Sequence, residues 1–172
     1  MLFRSQAEIY LSALRETDAA VEKLITYFQH YDEKVVIVMY GDHLPHIPEF
    51  LSALYGKDTA YLTLEETSRM YQTPFFIWAN YDIKEEEIKN ISLNYLNSLV
   101  MDAAKLPKTG YQAFLSELRR TLPVISSWGY QDFQGNQFPQ YSSSAYDEQL
   151  DAYRILQYNN MFDTRVKEFF TP

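Results

Sequence analysis

Apolar positions recur at helical spacing from about Phe3 to His30. Val21, Leu24, Ile25 and Phe28 share one face, and Tyr10, Leu14 and Thr17 carry the stripe back towards the start. A polar turn, Asp32-Glu33-Lys34, ends that pattern. Val35 to Tyr40 is then a continuous apolar run, mostly β-branched, which predicts a strand covered on both faces. Such a run is the usual mark of a parallel strand in an α/β sheet. Pro45 and Pro48 stop its continuation. A short helix from about Pro48 to Tyr55 follows, with Gly56 as its stop. Residues 57–72 are polar and mixed and read as a surface connection. Pro74 to Ala79 predicts a second buried strand.

Asn80 to Asn90 is a charged excursion around Lys84-Glu85-Glu86-Glu87, read as a solvated face. Ser92 is placed to cap a helix carrying Leu93, Leu96, Leu99, Val100 and Ala103. Tyr111, Phe114, Leu115 and Leu118 mark another, which Pro123 ends. Asp132 to Phe138 predicts a hairpin around Gly135-Asn136. A last helix spans about Asp147 to Phe162. The expected class is α/β: a few parallel strands flanked by helices, with a small C-terminal hairpin. The length of 172 residues sets an expectation of one domain over 1–172. Two strands make an incomplete sheet, so the chain is expected to be part of a larger α/β domain, or else to supply strands that the pattern does not reveal. An exposed sheet edge, open to pairing between chains, is expected with it.

Composition narrows the function. The net charge of −8 disfavours a nucleic-acid backbone as partner. No cysteine is present, which removes disulfides, thiolate chemistry and Cys-based zinc sites. No apolar run is long enough to span a membrane, so any membrane attachment is expected from segments outside this sequence. Glycine is scarce, at 5 residues, and no Gly-rich phosphate cradle occurs. GxSxG and HExxH are absent too. The 15 Tyr and 11 Phe either pack a core or form a carbohydrate or lipid platform.

Gly41-Asp42-His43, at the carboxyl end of the first strand, is the strongest chemical feature. Ligands of open α/β sheets bind outside the carboxyl ends of strands. A carboxylate and an imidazole there can serve one divalent ion such as Mn²⁺, Zn²⁺ or Fe²⁺, and Gly41 gives the backbone a sharp turn and room near it. The alternative is structural: Asp42 caps the following turn and His43 is a satisfied loop residue. His46 is either a third ligand, a donor to a substrate phosphate, or an exposed loop histidine. His30 suits the C-terminus of the first helix.

"VVIVMYGDHLP", preceded by "ETDAAVEKLITYF" and followed by "TPFFIWANYD", resembles the lipoteichoic acid synthase-like branch of the alkaline phosphatase/sulfatase superfamily. "LDAYRILQYNNMF" is similar to that branch's closing helix. The resemblance covers the C-terminal part of the family's catalytic domain. It implies a metal-dependent phosphoglycerol transferase, or a related phosphatase or sulfatase. Such an enzyme faces outward from the bacterial cell membrane and acts on a glycerophosphate-bearing lipid or another envelope phosphoester. It implies a divalent metal, manganese first, with zinc, magnesium or calcium as alternatives. By the match, Asp42 and His43 are metal ligands; the position of His46 does not transfer. The family's Thr nucleophile, its N-terminal acidic ligand and the sulfatase C/S-x-P-x-R signature have no counterpart here. No catalytic residue is therefore identified, and the chain alone is expected to show no turnover. The rival expectation is a non-catalytic module that binds cell-envelope glycan or a protein partner.

Overall fold

The computed structural model describes residues 2–163, 165 and 168–171, which fall into two compact units, residues 1–83 and 84–172.

The first unit opens with the long helix α1 (Leu2–Gln29), as the stripe predicts. Strand β1 (Val36–Tyr40) follows, then α2 (Pro48–Tyr55), a 3₁₀ turn at Thr59–Tyr61, α3 (Leu64–Met70) and β2 (Phe75–Ala79). Pro48 starts α2, where a missing N–H costs nothing. Gly56 ends it in the left-handed region, at φ +67°, with its N–H on the Ser52 carbonyl. Helix α3 lies in the stretch expected to be an irregular connection. Its signal is a capping box: Thr63 Oγ1 accepts from Glu66 N, and Glu66 Oε2 accepts from Thr63 N. Its apolar spacing is too sparse to reveal the helix.

The α/β class stands, with one correction: β1 and β2 run antiparallel, not parallel, pairing Val36 with Ala79 and Tyr40 with Phe75. A continuous apolar run reports cover on both faces and carries no information on direction. The chain leaves β1 at Tyr40 and returns beside it, where Gly41 N donates to Pro74 O at 3.0 Å. At the other end Asn80 locks the ribbon. Its Oδ1 accepts from Val35 N at 2.9 Å, and its Nδ2 donates to the carbonyls of Tyr31 and Glu33. Among the described residues neither strand has a second strand partner. All ten strand residues remain half-buried except the exposed Tyr40. Ile47 is the one fully buried hydrophobic residue described in this unit.

The second unit has a denser core. A 3₁₀ turn at Leu93–Tyr95 leads into α4 (Leu96–Ala104), then α5 (Gly110–Thr121). Three short strands, β3 (Val124–Ile125), β4 (Gly129–Gln131) and β5 (Gln137–Pro139), form an antiparallel sheet before α6 (Asp147–Phe162). The expected hairpin is β4–β5, with Gly135 at φ +90° in its turn. The core joins Tyr95, Leu115, Leu118, Leu122, Tyr130, Leu150 and Tyr153. Ser92 does not cap a helix by its side chain. Its hydroxyl instead accepts from Ile125 N and donates to Ile125 O, fastening the start of this unit to β3. Asp132 is buried yet fully used. Oδ1 accepts from the backbones of Gln134 and Asn136, and Oδ2 from the Asn136 amide and the Tyr146 hydroxyl. Burial pushes its carboxyl up, but those hydrogen bonds outweigh it and leave it below its usual range.

Candidate metal-binding turn

Asp42 and His43 sit in the turn directly after β1, where the sheet delivers them. Gly41 earns its place by close approach rather than by a left-handed turn. Its φ is not positive, but a Cβ there would stand 2.9 Å from Thr73 Cβ. Thr73 Oγ1 donates to Gly41 O at 2.7 Å, so the backbone just before Asp42 is held from the side.

The two candidate ligands are oriented by their own turn. Asp42 Oδ1 accepts from His43 N at 2.9 Å, which fixes the carboxylate plane. His43 Nδ1 lies 2.8 Å from Leu44 O. A carbonyl only accepts, so Nδ1 carries the proton in this contact. That leaves Nε2 facing Asp42 Oδ2 at 3.5 Å, with both side chains largely exposed. Nε2 either donates a proton to the carboxylate or lends its lone pair, beside the carboxylate oxygen, to a cation. Metal-bound oxygen and nitrogen donors stand about 2.0–2.2 Å from their ion, and two such donors about 3.5 Å apart fit one coordination sphere. An imidazole held by an Nδ1–H to a backbone carbonyl is the usual arrangement of a metal-ligating histidine. The residues present therefore fit a divalent ion as two of its ligands.

His46 is exposed between Pro45 and Ile47. Among the described residues no three His, Asp or Glu side chains gather into a set able to hold an ion, so the structure does not bring His46 together with the Asp42–His43 pair. The loop that returns Thr73 to Gly41 is braced by an ion pair, Lys57 Nζ to Glu66 Oε2 at 2.6 Å. The Lys57 hydrogen bond, then the Thr63 backbone N–H, hold the Glu66 carboxyl at about 2. Sequence reading missed Thr73 as a support of this turn, and Asn80 as the joint at the other end of the ribbon. Each acts through contacts more than thirty residues distant, for which a single sequence carries no local signal.

Residues 4–106, more than half of the chain, match the sulfatase family model. The chain belongs to the sulfatase family. The matched segment of this sulfatase-family chain contains β1, the Gly41-Asp42-His43 turn and β2. A relative from Rhizobium meliloti (strain 1021), named "Putative cyclic beta-1,2-glucan modification protein", is 23% identical over 173 residues. That match covers 94% of this chain and 26% of the relative, so the chain spans about a quarter of the length of the curated relative it matches. No solved structure matches the chain. No described helix is long and apolar enough to cross a membrane.

Proposed function

We propose that this chain carries the metal-ligand end of a phosphoryl- or sulfuryl-ester transfer site, in the manner of the lipoteichoic acid synthase-like branch. The donor would be a glycerophosphate-bearing lipid or a related phosphoester at the outer face of a bacterial membrane. The name of the Rhizobium relative suggests a cyclic β-1,2-glucan as the acceptor. The observation that carries the reading is the Asp42–His43 pair, with Oδ2 and Nε2 3.5 Å apart at the end of β1.

A divalent ion there, manganese first, would neutralise charge on the transferring group and lower the pKa of a hydroxyl nucleophile. The chain's own residues have narrower tasks. Asp42 presents an anionic oxygen and is kept in plane by the His43 N–H. His43 presents Nε2 and is kept in its tautomer by Leu44 O. Thr73 and Gly41 keep the strand end from drifting. The nucleophile and the remaining ligands belong to other parts of the family's domain.

Calorimetric titration of Mn²⁺ into the purified chain tests the reading. A two-ligand site should bind with a Kd of about 100 µM or weaker, and Asp42→Ala should abolish that binding. Binding unchanged in both Asp42→Ala and His43→Ala would overturn it.

A further inference from the structure

Tyr141 is the most exposed of the large hydrophobic residues described, at 85%, and it stands at φ +65°. That backbone region suits Gly or Asn, and a bulky side chain there is an outlier. The strain is held from several sides. Ser142 N and Ser142 Oγ both donate to Pro139 O, closing a tight turn around Gln140-Tyr141. Gln140 N donates to Trp128 O. The hydroxyl of the buried Tyr130 reaches Ser142 O at 3.3 Å. The fold thus spends strain to hold a large ring in solvent, where a smaller residue would satisfy the turn. Strain kept in place by its surroundings is a pointer to function.

The ring is not alone. The Arg154 guanidinium lies over it, with Cζ 5.9 Å from the ring centroid. Arg154 Nη1 is paired with Asp151 Oδ1 at 2.8 Å, and all three groups are open to water. A π face with a guanidinium and a carboxylate beside it matches one class of ligand well. The C–H face of a pyranose is apolar and slightly positive, and packs on the electron-rich ring face. The guanidinium lies over one side of the ring, so a sugar on the exposed ring has a donor, Arg154, and its paired acceptor, Asp151, close by. An anionic ligand is disfavoured by the net charge of −8.

We propose that Tyr141, with Arg154 and Asp151, is a stacking platform for a neutral glucan chain. The choice of glucan rests on the acceptor suggested above; the platform itself rests on this turn and does not involve Asp42 or His43.

The test titrates a short neutral β-1,2-linked glucose oligomer into the full chain in EDTA, followed by NMR of the tyrosine ring signals. Wild type and Asp42→Ala should bind alike, with a Kd of about 0.1–10 mM. Tyr141→Asn suits the left-handed backbone, so it should melt no lower than wild type while binding about tenfold more weakly or worse. Tyr141→Phe should keep most of the affinity, and Arg154→Gln should weaken it. If Tyr141→Asn fails to fold, the Phe and Gln variants decide the matter by the same criteria. Absence of saturable binding by wild type, or equal binding by Tyr141→Asn, overturns the proposal. Self-association that depends on Tyr141 without glucan binding would assign the ring to a protein interface and overturn it as well. Glucan binding without Mn²⁺ binding would leave the platform standing and remove the metal-site reading.

Discussion

Gly41 and Thr73 are in close contact: a hydrogen bond of 2.7 Å joins Thr73 Oγ1 to Gly41 O, and a Cβ on Gly41 would stand 2.9 Å from Thr73 Cβ. The neighbour is Thr73 Cβ itself, which is fixed to the backbone and cannot swing aside. Gly41→Ala must therefore push the returning loop away from β1. The expected loss is about 1–3 kcal/mol of stability, read from denaturant melts, with a weaker Mn²⁺ response in the same protein. A variant with an unaltered melting curve would show that the loop yields freely and that Gly41 has no packing role.

Asn80 makes a comparable joint at the opposite end of the ribbon. One amide serves three backbone groups, on Tyr31, Glu33 and Val35. Asn80→Ala leaves Val35 N–H and two carbonyls without that partner. A cost of about 1–3 kcal/mol follows, and hydrogen exchange at Val35 should accelerate. Asn80→Asp should also destabilise, because a carboxylate accepts from Val35 but offers nothing to the two carbonyls.

Acid should loosen the loop between the strands. The Glu66 carboxyl is held at about 2, against an ordinary value near 4.5, by Lys57 and by the N–H of Thr63. A depressed carboxyl contributes stability that is complete above 4.5 and is lost as pH falls towards 2. Carbon-detected NMR titration of Glu66 should give a midpoint near 2 in wild type. In Lys57→Met the midpoint should rise towards the ordinary value. An equal midpoint in both proteins would remove Lys57 as the cause.

In the second unit, Tyr95 is fully buried and its hydroxyl donates to Leu122 O at 2.7 Å. Burial pushes that phenol well above its usual range, so it stays protonated as a donor. Tyr95→Phe keeps the ring and orphans the carbonyl, at an expected cost of about 1–3 kcal/mol in thermal or urea unfolding. A neutral result would mean that water replaces the hydroxyl.

Much of this protein was legible along the chain. Helix α1, the strand before Gly41, the Pro48-to-Gly56 helix and the β4–β5 hairpin all follow from local period and turn chemistry, because neighbours in sequence decide them. The Gly41-Asp42-His43 turn was legible too, since a strand end followed by prolines fixes where those side chains emerge. The antiparallel pairing of β1 with β2 was not, because an apolar run says how deeply a strand is covered and nothing about its direction. Helix α3 rests on Thr63 and Glu66, a two-residue signal too small to outweigh a polar stretch. The contact of Thr73 with Gly41 and the Asn80 joint at the far end of the ribbon belong wholly to tertiary structure. Both depend on which backbone groups meet across more than thirty residues, and hydrogen bonds formed at that range leave no period in the sequence.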